Sequence, residues 1–172
     1  MDRRSNNIAI FQDSMDLIKA NQKLQQAVQF SIQNQKLYVP SQAIALSEPG
    51  KSSCKTIVSS KRSFEAASAY AKSGKRVCVL NFASATNPGG GVTRGSTAQE
   101  ECLCRCSTLY PCLGTETMWH QFYQPHRKTS DPLYNDDLLY TPGVVIFKTD
   151  TSVPERMEEK DWYQVDIITC AA

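Results

Sequence analysis

Two groups of residues in the stretch LNFASATNPGGGVTRGSTAQEECL (residues 80–103) have types and spacing suited to chemistry. Three consecutive glycines follow an Asn-Pro pair, and two adjacent acids, Glu100 and Glu101, lie ten residues after the last two of these glycines. Because glycine reaches positive φ without strain, successive backbone N–H groups of such a loop can converge on an anion. A carboxyl group beside that anion is placed to transfer protons. We therefore expect a phosphate or diphosphate site next to an acid/base group.

Both groups also have a purely structural interpretation. The glycines could form a tight turn and nothing more. The residues STAQEE match the capping box of a helix start twice, once as Ser96 with Gln99. The second match pairs Thr97 with Glu100, and Glu101 would then be a first-turn acid favoured by the helix dipole. Since neighbouring helical residues diverge by about 100°, the two carboxylates cannot do one identical job, but they can contact different atoms of one ligand.

The residues around the glycines predict an α/β arrangement. Residues 63–74 (SFEAASAYAKSG) predict a helix with Ser63 as its N-cap and Gly74 as its left-handed C-cap. The continuous apolar run at 76–83 (RVCVLNFA) predicts a strand that is covered on both faces. The glycines follow this strand and a further helix begins near Thr97, so the loop lies where open α/β sheets bind ligands.

The remaining pattern predicts further elements. Apolar residues at helical spacing between about 14 and 35 predict one long or two shorter surface helices. Strands are expected near 43–47, 56–59, 143–148 and 165–172, with a loop over 124–142. Tyr110 and Trp119 are expected to pack within the fold rather than to bind a ligand.

These elements suggest a division of the chain into an N-terminal helical segment, residues 1–40, and a core, residues 41–172. The last residues form an apolar strand, although chain termini usually lie at the surface. We therefore expect the architecture to continue beyond this sequence. A sheet that is open at this point could associate with another copy through its exposed edge.

Composition limits the possible classes of function. The chain is 41% hydrophobic and 21% charged, as globular domains are, and its net charge of +2 argues against direct binding to nucleic acid or to a membrane surface. The absence of a recognisable secretory signal and the odd number of cysteines, seven, favour reduced thiols and a cytoplasmic or nuclear protein. The close cysteines 102, 104 and 106 lack metal-site spacing, so we expect no metal.

The stretch NFASATNPGGGVTRGSTAQEE resembles the signature of the bacterial-type poly(ADP-ribose) glycohydrolases, a branch of the macrodomain-like fold. That signature is GGG, six to eight residues, then QEE, and here seven residues separate Gly91 from Gln99. The segments VLNFASATNPGGG, ECLCRCSTLYPCL and VDIITCAA also resemble the family. The resemblance implies a three-layer α/β sheet with flanking helices. It also implies that the C-terminal part of the family domain, with a second glycine-rich loop, is missing here.

The resemblance further implies exo-type hydrolysis of ribose–ribose O-glycosidic bonds in poly(ADP-ribose), which releases ADP-ribose without metal or cofactor. Glu101 would be the single acid/base, Glu100 would hold hydroxyl groups of the departing unit, and Asn87 would bind the ribose being cleaved. The other residues expected at the substrate, chiefly through N–H groups near the diphosphate, are Gly89, Gly90, Gly91, Val92 and Gln99.

Other functions remain open at this point. The chain could be a non-catalytic module that binds ADP-ribose, an inactive truncated paralogue, or an unrelated nucleotide phosphatase. Its expected partners are poly(ADP-ribose) or ADP-ribose and, by extension, ADP-ribosylated proteins.

Overall fold

The computed structural model describes residues 2–41, 54–129 and 135–171. They form a mixed α/β fold in which helices pack against one four-stranded sheet. The helices and strands are α1 (Arg3–Ala20), α2 (Gln22–Gln33), β1 (Lys36–Tyr38), α3 (Ser63–Ala71), β2 (Cys78–Ala83), α4 (Gln99–Cys106), α5 (Leu109–Leu113), α6 (Glu116–Met118), α7 (Gln124–Lys128), β3 (Leu138–Ile146) and β4 (Tyr163–Ala171). Short 3₁₀ turns cover Val92–Arg94 and Glu159–Asp161, and a π-helical turn covers Trp119–Tyr123. Within these ranges no helix is long and apolar enough to cross a bilayer.

The sheet brings the carboxyl ends of two strands together. Its strand order is β1-β3-β4-β2, and β2 runs parallel to β4 with Asn81 opposite Thr169. The other two pairings are antiparallel. Since β2 and β4 run in the same direction, the loop that follows Ala83 starts beside the carboxyl end of β4.

Strand β2 is covered on only one face. Its residues alternate, so that Asn81 is buried while Leu80 and Phe82 are 43% and 57% exposed. Helices α3 and α4 contact β2, and the expectation of a strand covered on both faces is wrong for the described part of the chain. Its run of apolar residues did not distinguish a face that packs against helices from one that is left open.

The N-terminal helices belong to the same fold as the sheet. They begin at Arg3, well before the predicted start near residue 14, and break at Asn21, whose side chain caps α2. Phe11 lies in one core cluster with Leu103 and Ile167. The segment 1–40 therefore shares its core with residues of the predicted domain 41–172.

Helix α1 also supports the turn that follows the glycines. The Asn7 side chain donates to the Gly95 carbonyl oxygen at 3.0 Å, and Arg4 Nε donates to the carbonyl oxygen of Arg94 at 2.7 Å. Gly95 has φ 77°, and a Cβ there would overlap the carbonyl oxygen of Arg4. The glycine thus serves both the backbone conformation and the close approach of α1.

A buried lysine fixes α1 from the other side. Lys148 Nζ donates to the carbonyl oxygen of Ile10 and pairs with Asp13, both at 2.7 Å. Burial lowers the pKa of Lys148 despite this partner. Removing the Asp13 carboxylate would leave a buried charge without its counter-ion, which is costly.

Several predicted elements need correction. The strand expected near 43–47 lies outside the described residues, and residues 56–59 are exposed and form no strand. The predicted loop 124–142 is partly wrong because it contains α7 and the start of β3. A register shift between Thr141 and Val144 hid that strand start, since the Pro-Gly pair at the irregularity resembles a turn.

The helix predicted at 63–74 is confirmed as α3, with different caps. Arg62 rather than Ser63 precedes the first helical turn, and Asp150 accepts a hydrogen bond from the Phe64 N–H at 3.0 Å. Gly74 lies just beyond the helix in the left-handed conformation, with φ 81°.

Two glycines with similar backbone angles allow a test of how α1 docks. Gly74 at φ 81° has nothing within 4 Å of an added Cβ, so Gly74→Ala should cost only the left-handed strain of about 1 kcal/mol. Gly95→Ala carries the same strain and also displaces α1, which should add about 2 kcal/mol. Urea unfolding of both variants measures the difference, and equal losses would contradict this docking.

Candidate active site

The glycine loop turns sharply between β2 and α4. Gly89 and Gly90 have φ 67° and 58°, and the Gly90 N–H donates to the Asn87 carbonyl oxygen at 2.9 Å. Positive φ at two consecutive positions strongly favours glycine. This turn brings the loop back over the start of α4, where Glu100 and Glu101 lie.

Close contacts give each glycine a further reason to lack a side chain. A Cβ on Gly89 would lie 2.6 Å from the Tyr110 ring. A Cβ on Gly90 would lie 2.5 Å from Glu101 Oε1 and 3.1 Å from Glu100 Oε2. At the third glycine, residue 91, it would overlap the side chain of Ser96. Both carboxyl groups thus gather around the middle glycine.

Glu101 is bound to the loop through one oxygen only. Its Oε1 accepts a hydrogen bond from the Gly91 N–H at 2.8 Å. Its Oε2 is buried and has no hydrogen-bond partner among the described residues, and the residue as a whole is 6% exposed. An unpartnered buried carboxylate oxygen is costly in a folded protein, and such atoms are often functional.

Glu100 lies against the sheet. Its Oε2 accepts from the Ser84 N–H at 2.8 Å, and its Oε1 is 3.4 Å from Asn81 Nδ2. Burial raises the pKa of Glu100 to about 7, and the charge of Glu101 acts in the same direction, whereas these hydrogen bonds oppose the shift. Glu100 is therefore close to half-protonated at neutral pH.

Gln99 attaches the start of α4 to the free edge of the sheet. Its side-chain oxygen accepts from the Phe82 N–H at 2.9 Å, and its Nε2 donates to the Leu80 carbonyl oxygen at 2.7 Å. A third contact, at 3.2 Å, reaches Ser63 Oγ. The carboxamide thus replaces a neighbouring strand at the edge of β2.

This arrangement rules out the capping-box interpretation. The residue before α4 is Ala98, which has no side-chain acceptor. The side chains of Gln99 and Glu100 bond to β2 and to the loop after it, as described above, and do not bond to a capping residue. The tendency of Gln99 and Glu100 to bond to a capping residue was outweighed here by their contacts to a strand that is distant in sequence.

The N–H groups expected to bind a diphosphate have partners within the protein. The N–H of Val92 donates to the Gly89 carbonyl oxygen at 3.1 Å, and those of Gly90 and Gly91 donate to Asn87 and Glu101 as described above. A phosphate group would have to share or replace these bonds. The diphosphate contact therefore remains a prediction.

Three polar residues of this region were not anticipated from the sequence. Asn81 and Ser84 contact Glu100, and Arg127 Nη2 donates to Asn87 Oδ1 at 2.5 Å. A polar Asn81 within an apolar strand was a signal that could have been used. Arg127 gave no signal, because it lies 40 residues along the chain from Asn87.

The clustered cysteines do not form a metal site in the described parts of the chain, where no group of three or more His, Cys, Asp or Glu residues could hold an ion. Burial raises the pKa of Cys104 far above its ordinary value, and it does the same for Cys106. Both thiols are therefore expected to be unreactive core groups.

Known structures resemble this one closely. The poly(ADP-ribose) glycohydrolase of Thermomonospora curvata matches with 31% identity and a TM-score of 0.83, over 98% of this chain and 65% of that one. The same enzyme bound to the inhibitor ADP-HPD matches with 30% identity and a TM-score of 0.77, over 98% of this chain and 63% of that one. The glycohydrolase of Deinococcus radiodurans in complex with ADP-ribose has 32% identity and a TM-score of 0.69, over 84% of this chain and 58% of that one.

This chain thus spans less than two thirds of the length of these relatives. No curated protein matches it. The likeness nevertheless confirms the α/β, macrodomain-like fold. A family model for the catalytic domain of microbial-type PARG, the poly(ADP-ribose) glycohydrolases, matches residues 8–149, which include the glycine loop and both glutamates. The chain belongs to the microbial-type PARG catalytic domain family.

Proposed function

We propose that this chain carries the acid/base part of a glycohydrolase site that cleaves ribose–ribose O-glycosidic bonds in poly(ADP-ribose) and releases ADP-ribose. The main support is the carboxyl group of Glu101, which has one oxygen bound to the glycine loop and one buried oxygen without a partner in the described residues. Such a group can be directed at a ligand without losing its own anchor. The solved complexes of relatives with ADP-ribose and with ADP-HPD support the ligand class.

In this proposal Glu101 acts twice. Its carboxylic acid protonates the leaving ribose oxygen as the glycosidic bond breaks and positive charge develops on the other ribose. The carboxylate that results then removes a proton from a water molecule, and the hydroxide equivalent attacks the same carbon. One proton and one water molecule are accounted for, and Glu101 ends in its starting state.

Glu101 needs a proton at neutral pH, although a helix N-terminus favours the carboxylate. A diphosphate bound at the loop would repel a carboxylate at Glu101, because the two groups carry like charge. We propose that Glu100, with its raised pKa, limits the negative charge of the pair while it holds ribose hydroxyl groups. In this proposal Glu101 thereby holds its proton when substrate is bound.

The other predicted site residues have supporting roles. Asn87 donates to the ribose being cleaved, and the backbone N–H groups of Gly89, Gly90, Gly91 and Val92 bind the diphosphate by sharing or replacing their hydrogen bonds within the protein. Since the Gln99 carboxamide already has three protein partners, we propose that it serves the substrate by holding the first turn of α4 in place.

Substitution of Glu101 tests the acid assignment. Glu101→Gln keeps the shape but not the proton chemistry, so the rate of ADP-ribose release from poly(ADP-ribose) should fall by about 10²–10⁴-fold. Glu155→Gln, which neutralises an exposed glutamate, is the matched control and should retain the wild-type rate. Calorimetry with ADP-ribose checks that binding survives in the variant.

Three outcomes would contradict the proposal. Wild-type hydrolysis by Glu101→Gln would remove Glu101 from the chemistry. Binding of ADP-ribose by both proteins without hydrolysis by either would identify a binding module. Release of inorganic phosphate from ADP-ribose would identify a phosphatase.

The raised pKa of Glu100 gives a prediction for stability. The unfolded carboxyl ionises near pH 4.5 and the folded one near 7, so the folded state holds more protons in that window. This group should therefore lower the free energy of unfolding by about 3 kcal/mol as pH rises from 4.5 to 7, with no further loss above. In Glu100→Gln that part of the decline should be missing.

Two measurements check this behaviour. Carbon NMR of the Glu100 carboxyl should show a titration midpoint near 7. Urea unfolding at several pH values gives the stability difference between wild type and Glu100→Gln, which should change across the same window. A midpoint near 4.5 with a constant stability difference would refute the shift.

A further inference from the structure

A cation from a distant helix holds the residue that is expected to bind the ribose. Arg127, at the end of α7, donates from Nε to the Thr86 carbonyl oxygen at 2.7 Å and from Nη2 to Asn87 Oδ1 at 2.5 Å. One planar guanidinium therefore donates hydrogen bonds both to the backbone of Thr86 and to the side chain of Asn87. Lysine, with a single ammonium group, cannot reproduce this fork.

The guanidinium is itself held by an aromatic ring. Its central carbon lies 4.8 Å from the centroid of the Trp119 ring, within the range of a cation–π contact. Trp119 is partly buried and packs against the main core cluster. Arg127 is thus attached to the packed core through Trp119, although the arginine itself is exposed.

A π-helical turn places these two residues on one side of the helical segment. They are eight positions apart, and in a regular α-helix such residues lie about 80° apart around the axis. Residues Trp119–Tyr123 form a π-helical turn, in which each residue rotates less. The wider turn offsets most of that angle and brings Arg127 over Trp119. π-Turns inside α-helical segments often mark functional sites.

The contact with Arg127 determines which atom of the Asn87 carboxamide still has a hydrogen to donate. Because Oδ1 accepts from Arg127, Nδ2 occupies the other side, where one hydrogen is bound by Thr86 Oγ1 at 3.1 Å. An amide nitrogen carries two hydrogens, so the second one can be donated to a ligand. Without the fork the carboxamide could rotate and present either its donor or its acceptor.

We propose that Arg127 is a positioning residue which orients Asn87 as a hydrogen-bond donor toward an acceptor oxygen of the bound ribose. This inference rests on the proposed function for the identity of the ligand. The orientation itself depends only on contacts within the protein, so the two can fail separately.

The first test needs no substrate. In nitrogen–proton NMR spectra, Arg127→Gln should shift the Asn87 side-chain amide resonances, while Lys128→Gln, which removes the neighbouring exposed cation, should leave them in place. Unchanged Asn87 resonances in Arg127→Gln would overturn the proposal. Arg127→Lys keeps the charge and should give a shift of intermediate size, and it replaces Arg127→Gln if that variant does not fold.

The second test is a double-mutant cycle on the release of ADP-ribose from poly(ADP-ribose). Arg127→Gln should lower kcat/KM by about tenfold in the wild type and by less than twofold in the Asn87→Ala background. Lys128→Gln should have less than a twofold effect in the wild type. Equal effects of Arg127→Gln in both backgrounds, or an effect of Lys128→Gln as large as that of Arg127→Gln, would mean general charge attraction and overturn the proposal.

The two tests together separate the possible failures. In one outcome, Arg127→Gln shifts the Asn87 resonances, but the wild-type protein neither hydrolyses the polymer nor binds ADP-ribose. This outcome would overturn the proposed function and leave the orientation of Asn87 intact. Normal hydrolysis by the wild type with unshifted resonances in Arg127→Gln would do the reverse.

Discussion

The hydrogen bond from the Gly91 N–H to Glu101 Oε1 joins the two halves of the candidate site. It links a loop that leaves β2 to the first turn of α4, and it requires a close approach that no side chain at Gly90 would permit. The three glycines are therefore best understood as space for carboxyl groups as well as a sharp turn. The acidic pair needs the glycines for space and for an N–H donor, although the two groups lie ten residues apart in the sequence.

Burying two adjacent carboxyl groups is unfavourable, and the surroundings offset this cost in different ways. Each group accepts a backbone N–H, from Gly91 or from Ser84, and both lie in the first turn of α4, where the helix dipole favours negative charge. The remaining cost of burial is relieved by protonation of Glu100, because the pKa of this carboxyl group is raised to about 7. Partial protonation of Glu100 thus lowers the negative charge that this part of the fold has to bury.

Local patterns in the sequence predicted the parts of the site that depend on local geometry. The glycine loop after an apolar strand, and the helix that carries Glu100 and Glu101, could both be placed from composition and spacing. The role of Gln99 could not be, because its carboxamide bonds to the edge of β2, a contact that exists only after the chain has folded. A capping motif and a strand-edge contact look the same in sequence.

The same limit explains the errors in the fold. The outer face of β2 carries Leu80 and Phe82, whose apolar character predicts burial but cannot say what covers them. Helical periodicity near the N-terminus likewise does not indicate that residues of α1 reach the turn after the glycines. Both outcomes are set by contacts between residues far apart along the chain, which periodicity does not report.

The contacts that position the acid pair all lie within this chain, although the solved relatives are considerably longer. Gln99 ties α4 to β2, Gly91 ties Glu101 to the loop, and α1 supports the turn at Gly95. None of these contacts involves a ligand, so they hold the carboxyl pair in place before anything binds. A substitution elsewhere in the chain that leaves these contacts intact should leave the titration of Glu100 unaltered, because burial, the charge of Glu101 and local hydrogen bonds set that titration.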